Sequence, residues 1–216
     1  TRLSPSAATQ ALRRLAAREL ISKLKRAVWV NRLASELNPY EAVPYLRAPW
    51  PSYVSLRSAL AAHGMPKPIP GEPPGFSPKK TKWPLIAGIA GVTVAVAIAA
   101  IVTAAMPRRY ATPIGEFRFH HLPARLLWGF DMRQVGAGSY PMADREKAFL
   151  DLVYLALTPR SPLQLPHKRG RSWELDKSRL NAYARRFAYP PLESWLKGQG
   201  LWISGVRALK NYRPIF

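Results

Sequence analysis

The chain has no cysteine. That excludes a disulfide framework, a thiolate nucleophile and a Cys-ligated zinc site, and it is compatible with a reducing cytoplasm. Acidic residues are scarce too: 12 Asp and Glu stand against 33 Lys and Arg, a net charge of +21 over 216 residues. Such an excess goes well beyond what solubility needs and points to a polyanionic partner, either nucleic acid or an anionic membrane surface. Motifs of catalysis are also missing. There is no His-Glu-x-x-His spacing, Gly-rich phosphate loop or nucleophile elbow, and Gly136-Ala137-Gly138 is a bare turn signal. His120 and His121 are neighbours, so on a strand they point to opposite faces and cannot chelate one metal together, one packing and the other exposed. His63 and His167 stand alone. Asp144, Glu146 and Asp151 read as a helix cap and surface ion pairs rather than an acid/base pair. The expectation is a protein that is not an enzyme and uses no cofactor and no metal. The chain opens at Thr1 without the basic, apolar, small-residue layout of a signal peptide. A start other than Met fits a beginning that is missing or processed.

What is present begins with a helix from Leu3 to Ile21. Ser4 can cap it, Pro5 suits its first position, and Ala8, Leu12 and Leu15 recur on one face, opposite Ser6, Thr9, Gln10 and Arg13. Two β-prone runs, 20–24 and 27–30, follow around the basic turn Lys25-Arg26. Helix then basic hairpin is the second half of a winged helix-turn-helix. Residues 33–51 hold four prolines and read as a connection with short elements. From Ser52, the residues Tyr53, Leu56, Leu60 and Ala61 suggest an amphipathic helix stopping at Gly64. Residues 66–82 are a Pro-rich linker.

Trp83 to Met106 carries no charge, is longer than the ~20 residues that cross a bilayer as a helix, and has basic residues on both flanks. Taken alone it reads as a transmembrane helix. A buried strand is the alternative, since Val92-Thr93-Val94-Ala95-Val96 is β-branched and a soluble helix needs the polar face this run lacks. Beyond it, Thr112-Pro113-Ile114-Gly115 is a turn and Glu116-Phe117-Arg118-Phe119-His120 alternates as a half-buried strand. A helix follows with Ala148, Phe149, Leu152, Val153 and Leu155 at helical spacing and Asp144 as cap. A basic loop, 167–171, leads to a last helix around Leu180 to Phe187, capped by Asp176 or Ser178.

Three blocks resemble one family. Ser4-Pro5-Ser6-Ala7-Ala8 through Leu15 and Val28-Trp29-Val30 looks like the recognition helix and wing of AbiEi-type antitoxins of type IV toxin-antitoxin systems. Ser52-Tyr53-Val54-Ser55-Leu56-Arg57-Ser58-Ala59-Leu60 with His63-Gly64-Met65 is similar to the start of that family's C-terminal domain. Arg108-Arg109-Tyr110, Thr112-Pro113-Ile114-Gly115, Phe117 and Glu146-Lys147-Ala148-Phe149-Leu150-Asp151-Leu152 are similar to its later strands and helix. The chain departs from the family by lacking the helices before the recognition helix, and by a spacer and an apolar run where the family has a short strand.

The fold expected is α+β: a partial winged helix-turn-helix (1–32), a connection (33–51), and a mixed α+β antitoxin-like domain (52–65 and 107–216). The linker (66–82) and the apolar segment (83–106), the candidate transmembrane helix, interrupt it. The resemblance implies a cytoplasmic phage-defence antitoxin that represses its own promoter and counters a nucleotidyltransferase-like toxin, its cognate partner, without a stable complex. It also implies pairs of protomers on operator DNA. On that reading Ser6, Thr9, Gln10 and Arg13 face the major groove, and Lys23, Lys25 and Arg26 contact phosphate. A solvated face and an ordinary basic turn are the plain alternative. A second cluster, Lys168, Arg169, Arg171, Lys177, Arg179, Arg185 and Arg186, is either an antitoxic surface or a charged solvent face partly neutralised by Glu174, Asp176 and Glu193. The rival reading is an inner-membrane protein, anchored by the apolar segment, whose charge binds anionic lipid or DNA.

Overall fold

The computed structural model describes residues 4–33, 38–65, 98–136, 138–166 and 173–204. Helix α1 (Pro5–Ala17) starts as its sequence dictates. The Ser4 hydroxyl accepts from the N–H of Ala7 at 3.3 Å, and Pro5 occupies the first turn, where its missing N–H is not needed. The helix ends before the expected Ile21. Glu19 N–H bonds to Ala16 O and Leu20 N–H to Leu15 O, both at 3.0 Å, while Glu19 turns the chain with φ 58°. Strands β1 (Ile21–Lys25) and β2 (Val28–Asn31) then pair antiparallel around Arg26 and Ala27. The register shifts between Lys23 and Lys25, and Leu24 is buried there, joining Val30 in the core.

Strands β3 (Ser52–Val54), β4 (Ile98–Thr103), β5 (Arg108–Thr112), β6 (Gly115–His121), β7 (Phe130–Val135) and β8 (Gly138–Ala143) form one mixed sheet in the order β5-β6-β4-β3-β8-β7. Among the inner strands β4 is the most apolar. β4 pairs parallel with β6 and antiparallel with β3, and its Ala99, Ile101, Val102 and Thr103 are all buried, as a strand covered on both faces requires. This corrects the expectation of one transmembrane helix from Trp83 to Met106, because the end of that run is strand hydrogen-bonded on both sides. Among the described residues no helix is long and apolar enough to cross a membrane. Residues 98–103 therefore belong to the sheet domain. The linker 66–82 and the remainder of the apolar run, 83–97 with Val92 to Val96, lie outside the described residues.

A second correction concerns Ser52, Tyr53 and Val54, expected as helix and found as strand, paired with Thr103, Val102 and Ile101. Helix α3 (Leu56–Ala62) follows and ends at Gly64, whose φ of 76° suits glycine, with Met65 N–H on Leu60 O at 3.0 Å. Helix α4 (Arg145–Leu157) is capped by Asp144, which accepts from Lys147 N–H at 2.8 Å, and α5 (Lys177–Phe187) by Asp176, which accepts from Arg179 N–H at 3.1 Å. Helix α6 (Pro190–Gly198) was not expected from the sequence. α3 packs on α4 and β4, and α4 packs on α5 and α6. Helix α2 (Val43–Arg47), preceded by a 3-10 turn at Pro39–Ala42, packs on β3 and β8: Ser52 Oγ donates to Val43 O at 3.2 Å, and the Tyr40 and Tyr140 rings lie 5.1 Å apart.

Candidate nucleic-acid interface

Helix α1 presents Ser6, Thr9, Gln10 and Arg13 outward, all exposed. Positions 6, 10 and 13 form one stripe by helical spacing, with Thr9 beside it. The two short side chains turn toward their own helix: Thr9 Oγ1 donates to Pro5 O at 2.9 Å, and Ser6 Oγ lies 3.1 Å from Ser4 Oγ. Gln10 and Arg13 are the long, outward groups, and exposed Arg14 and Arg18 add charge that the sequence reading left out. No residue of α1 is buried, and Leu15 on its apolar side is 39% exposed.

The three cations expected on the wing divide. Arg26 is exposed at the turn, and the exposed Lys23 extends over the Trp29 ring at 5.8 Å. Lys25 is half-buried and donates to Leu46 O at 2.9 Å, fastening the hairpin to α2. It holds the hairpin in place.

The second basic cluster is not one open surface among the described residues. Lys168, Arg169 and Arg171, with His167, lie outside them. Arg185 donates to Ile203 O at 3.1 Å and lies over the Trp202 ring at 4.8 Å, and Arg186 lies over Trp128 at 4.4 Å. Arg179 is 3.9 Å from Glu146, and Lys177 is exposed at the start of α5. Of the nearby acids, Glu174 accompanies Arg145 at 3.9 Å and Asp176 serves as a cap.

Sequence reasoning missed a buried polar cluster. Asp151 is not a surface ion pair: it binds Lys147 one helical turn away, and both side chains have no exposed surface. Lys147 Nζ also donates to Tyr53 Oη at 2.8 Å, and Asp151 Oδ2 accepts from Tyr53 Oη at 2.9 Å and Ser55 Oγ at 2.7 Å. The rings of Trp128 and Phe187 stand 4.9 and 5.0 Å from the ammonium. Burial pulls Lys147 below the usual ammonium range and pushes Asp151 above the usual carboxylate range, while their mutual attraction opposes both shifts. These groups could do acid/base chemistry in an open cleft, but here they are sealed. The available signal was a Lys and an Asp four residues apart inside an otherwise apolar helical run. Glu146 is buried as well and accepts from Asp176 N–H at 3.0 Å. His121 is exposed and His120 half-buried, their side chains alternating along β6 as expected.

Comparison with protein-family models, curated proteins and solved structures finds no match for the chain. Within the fold, the buried cluster joins Tyr53 and Ser55, at the step from β3 to α3, to Lys147 and Asp151 of α4.

Proposed function

We propose that this chain is an AbiEi-like antitoxin, binding operator DNA through α1 and the β1–β2 hairpin and countering a nucleotidyltransferase-like toxin through its sheet domain. The observation that carries the reading is the arrangement of the amino-terminal unit. A helix with Gln10 and Arg13 directed outward runs straight into a hairpin with Lys23 and Arg26 on its outer side. That order suits a helix in the major groove, where Gln and Arg read base edges, beside a wing on the phosphate backbone. The net charge of +21 supplies the long-range attraction. Pairs of protomers on an inverted repeat would turn a small readout into a longer one.

Two assays test this. In a growth assay the chain is co-expressed with an AbiEii-type toxin, alongside a version lacking residues 66–97, a deletion that spares β4. Rescue of growth by the full chain is expected, and failure of both versions would remove the antitoxin reading. In a gel shift, Gln10→Ala with Arg13→Ala should abolish discrimination between operator and random duplex; unchanged preference would take α1 out of the readout.

A further inference from the structure

Three large apolar side chains stand well exposed at one end of the sheet: Tyr45 at 63%, Trp50 at 53% and Met106 at 77%. Hydrogen bonds tie the segments that carry them together. Trp50 N–H bonds to Arg47 O at 2.9 Å, Arg47 Nη2 donates to Met106 O at 2.8 Å, and Lys25 Nζ reaches Leu46 O at 2.9 Å. Two residues past Met106 the Arg108 guanidinium lies over the Tyr110 ring at 5.2 Å, and β1 of the basic hairpin adjoins β5. Aromatic rings and cations thus share one surface.

The charge around it is mostly positive. No acidic residue occurs in residues 20–33, 42–65 or 98–115, the described stretches that supply this surface, and Glu41 stands four residues before Tyr45. Glu116, the acid on the neighbouring strand, is already held by Arg109 at 2.7 Å and Arg118 at 2.6 Å. Exposed rings on such a surface match a partner that offers both a polyanionic backbone and accessible π-faces. A duplex offers the first and covers the second by stacking its bases; an unpaired strand offers both.

We infer that the surface formed by α2, the loop through Trp50 and the start of β5 binds unpaired nucleic acid, with bases stacking on Trp50 and Tyr45 and phosphates held by Arg47 and Arg108. This stands apart from the reading of α1 as a duplex reader and does not depend on it.

The test is fluorescence anisotropy on the full chain with labelled oligo(dT), oligo(U) and a mixed-sequence duplex of equal length. Trp50→Ala and Tyr45→Ala, both at exposed positions, should each weaken binding to a single strand by roughly tenfold, with less than a twofold change on the duplex. Gln10→Ala with Arg13→Ala should spare the single strands, which separates this surface from α1. Preference for oligo(U) or for oligo(dT) then identifies the strand as RNA or DNA. No loss on single strands, or equal loss on strand and duplex, overturns the inference. So does binding to phosphatidylglycerol vesicles that Trp50→Ala abolishes while oligonucleotide binding is unchanged.

Discussion

The Lys147 ammonium is bound to the Asp151 carboxylate one turn away on α4, and neither side chain reaches solvent. A buried pair of this kind is costly to break and cheap to replace. Asp151→Asn leaves the ammonium among the Trp128, Tyr53 and Phe187 rings without its counter-charge. A loss of about 3–5 kcal/mol in urea unfolding is expected. The double variant Lys147→Met with Asp151→Leu should be more stable than either single change; additive losses would show that the two charges are not coupled.

His120 makes stability depend on pH. Burial first, then the Arg118 and Arg57 charges, hold its imidazole down to about 4 from an ordinary 6.5. Above pH 6.5 the ring is neutral whether the chain is folded or not; below it the unfolded chain takes up a proton that the folded one refuses until about 4. Stability contributed by the neutral ring is thus complete above that window and falls through it, by on the order of 3 kcal/mol. His120→Gln should flatten this part of the profile of urea midpoint against pH; an unchanged slope would place the titration elsewhere.

Lys25 and Arg26 are adjacent in sequence and differently placed, Lys25 bonded to Leu46 O and Arg26 exposed. Arg26→Ala should lower the slope of log affinity against log salt on duplex DNA by about 0.9, the share of one phosphate contact, with no change in melting. Lys25→Ala should leave the slope alone and cost about 1.5 kcal/mol, because Leu46 O loses a charged donor. If both variants change only the salt slope, Lys25 is a phosphate contact after all.

Features set by neighbours in the chain were legible in the sequence. The Ser4, Asp144 and Asp176 caps, the hairpin around Arg26, and the inward Phe117 and Phe119 of β6 all follow from local chemistry. Features set by distant partners were not. Ser52, Tyr53 and Val54 look like the opening of a helix until Ile101, Val102 and Thr103 arrive to pair with them. β4 looks like membrane until the strands on either side are known. For the candidate interface, the outward face of α1 could be read from its periodicity. The engagement of Lys25 with Leu46 O and of Arg185 with Ile203 O could not, because a charged residue in a sequence does not reveal a carbonyl acceptor supplied by another segment. Tyr45 and Trp50 went unnoticed for the opposite reason, since aromatic residues are ordinarily read as core.

The placement of β4 also bears on how freely the chain can change length. Its hydrogen bonds to β3 and β6 fix where the strand must arrive, not the route by which it gets there. Doubling the length of chain that bridges α3 and β4 costs only about 0.6 kcal/mol of closure entropy, less than the roughly 0.8 kcal/mol of one buried methylene. Truncating buried Ile101 or Val102 should therefore cost the sheet more than a change in the number of residues before β4. Added residues after Met65 should cost little stability so long as β3 and β4 stay paired.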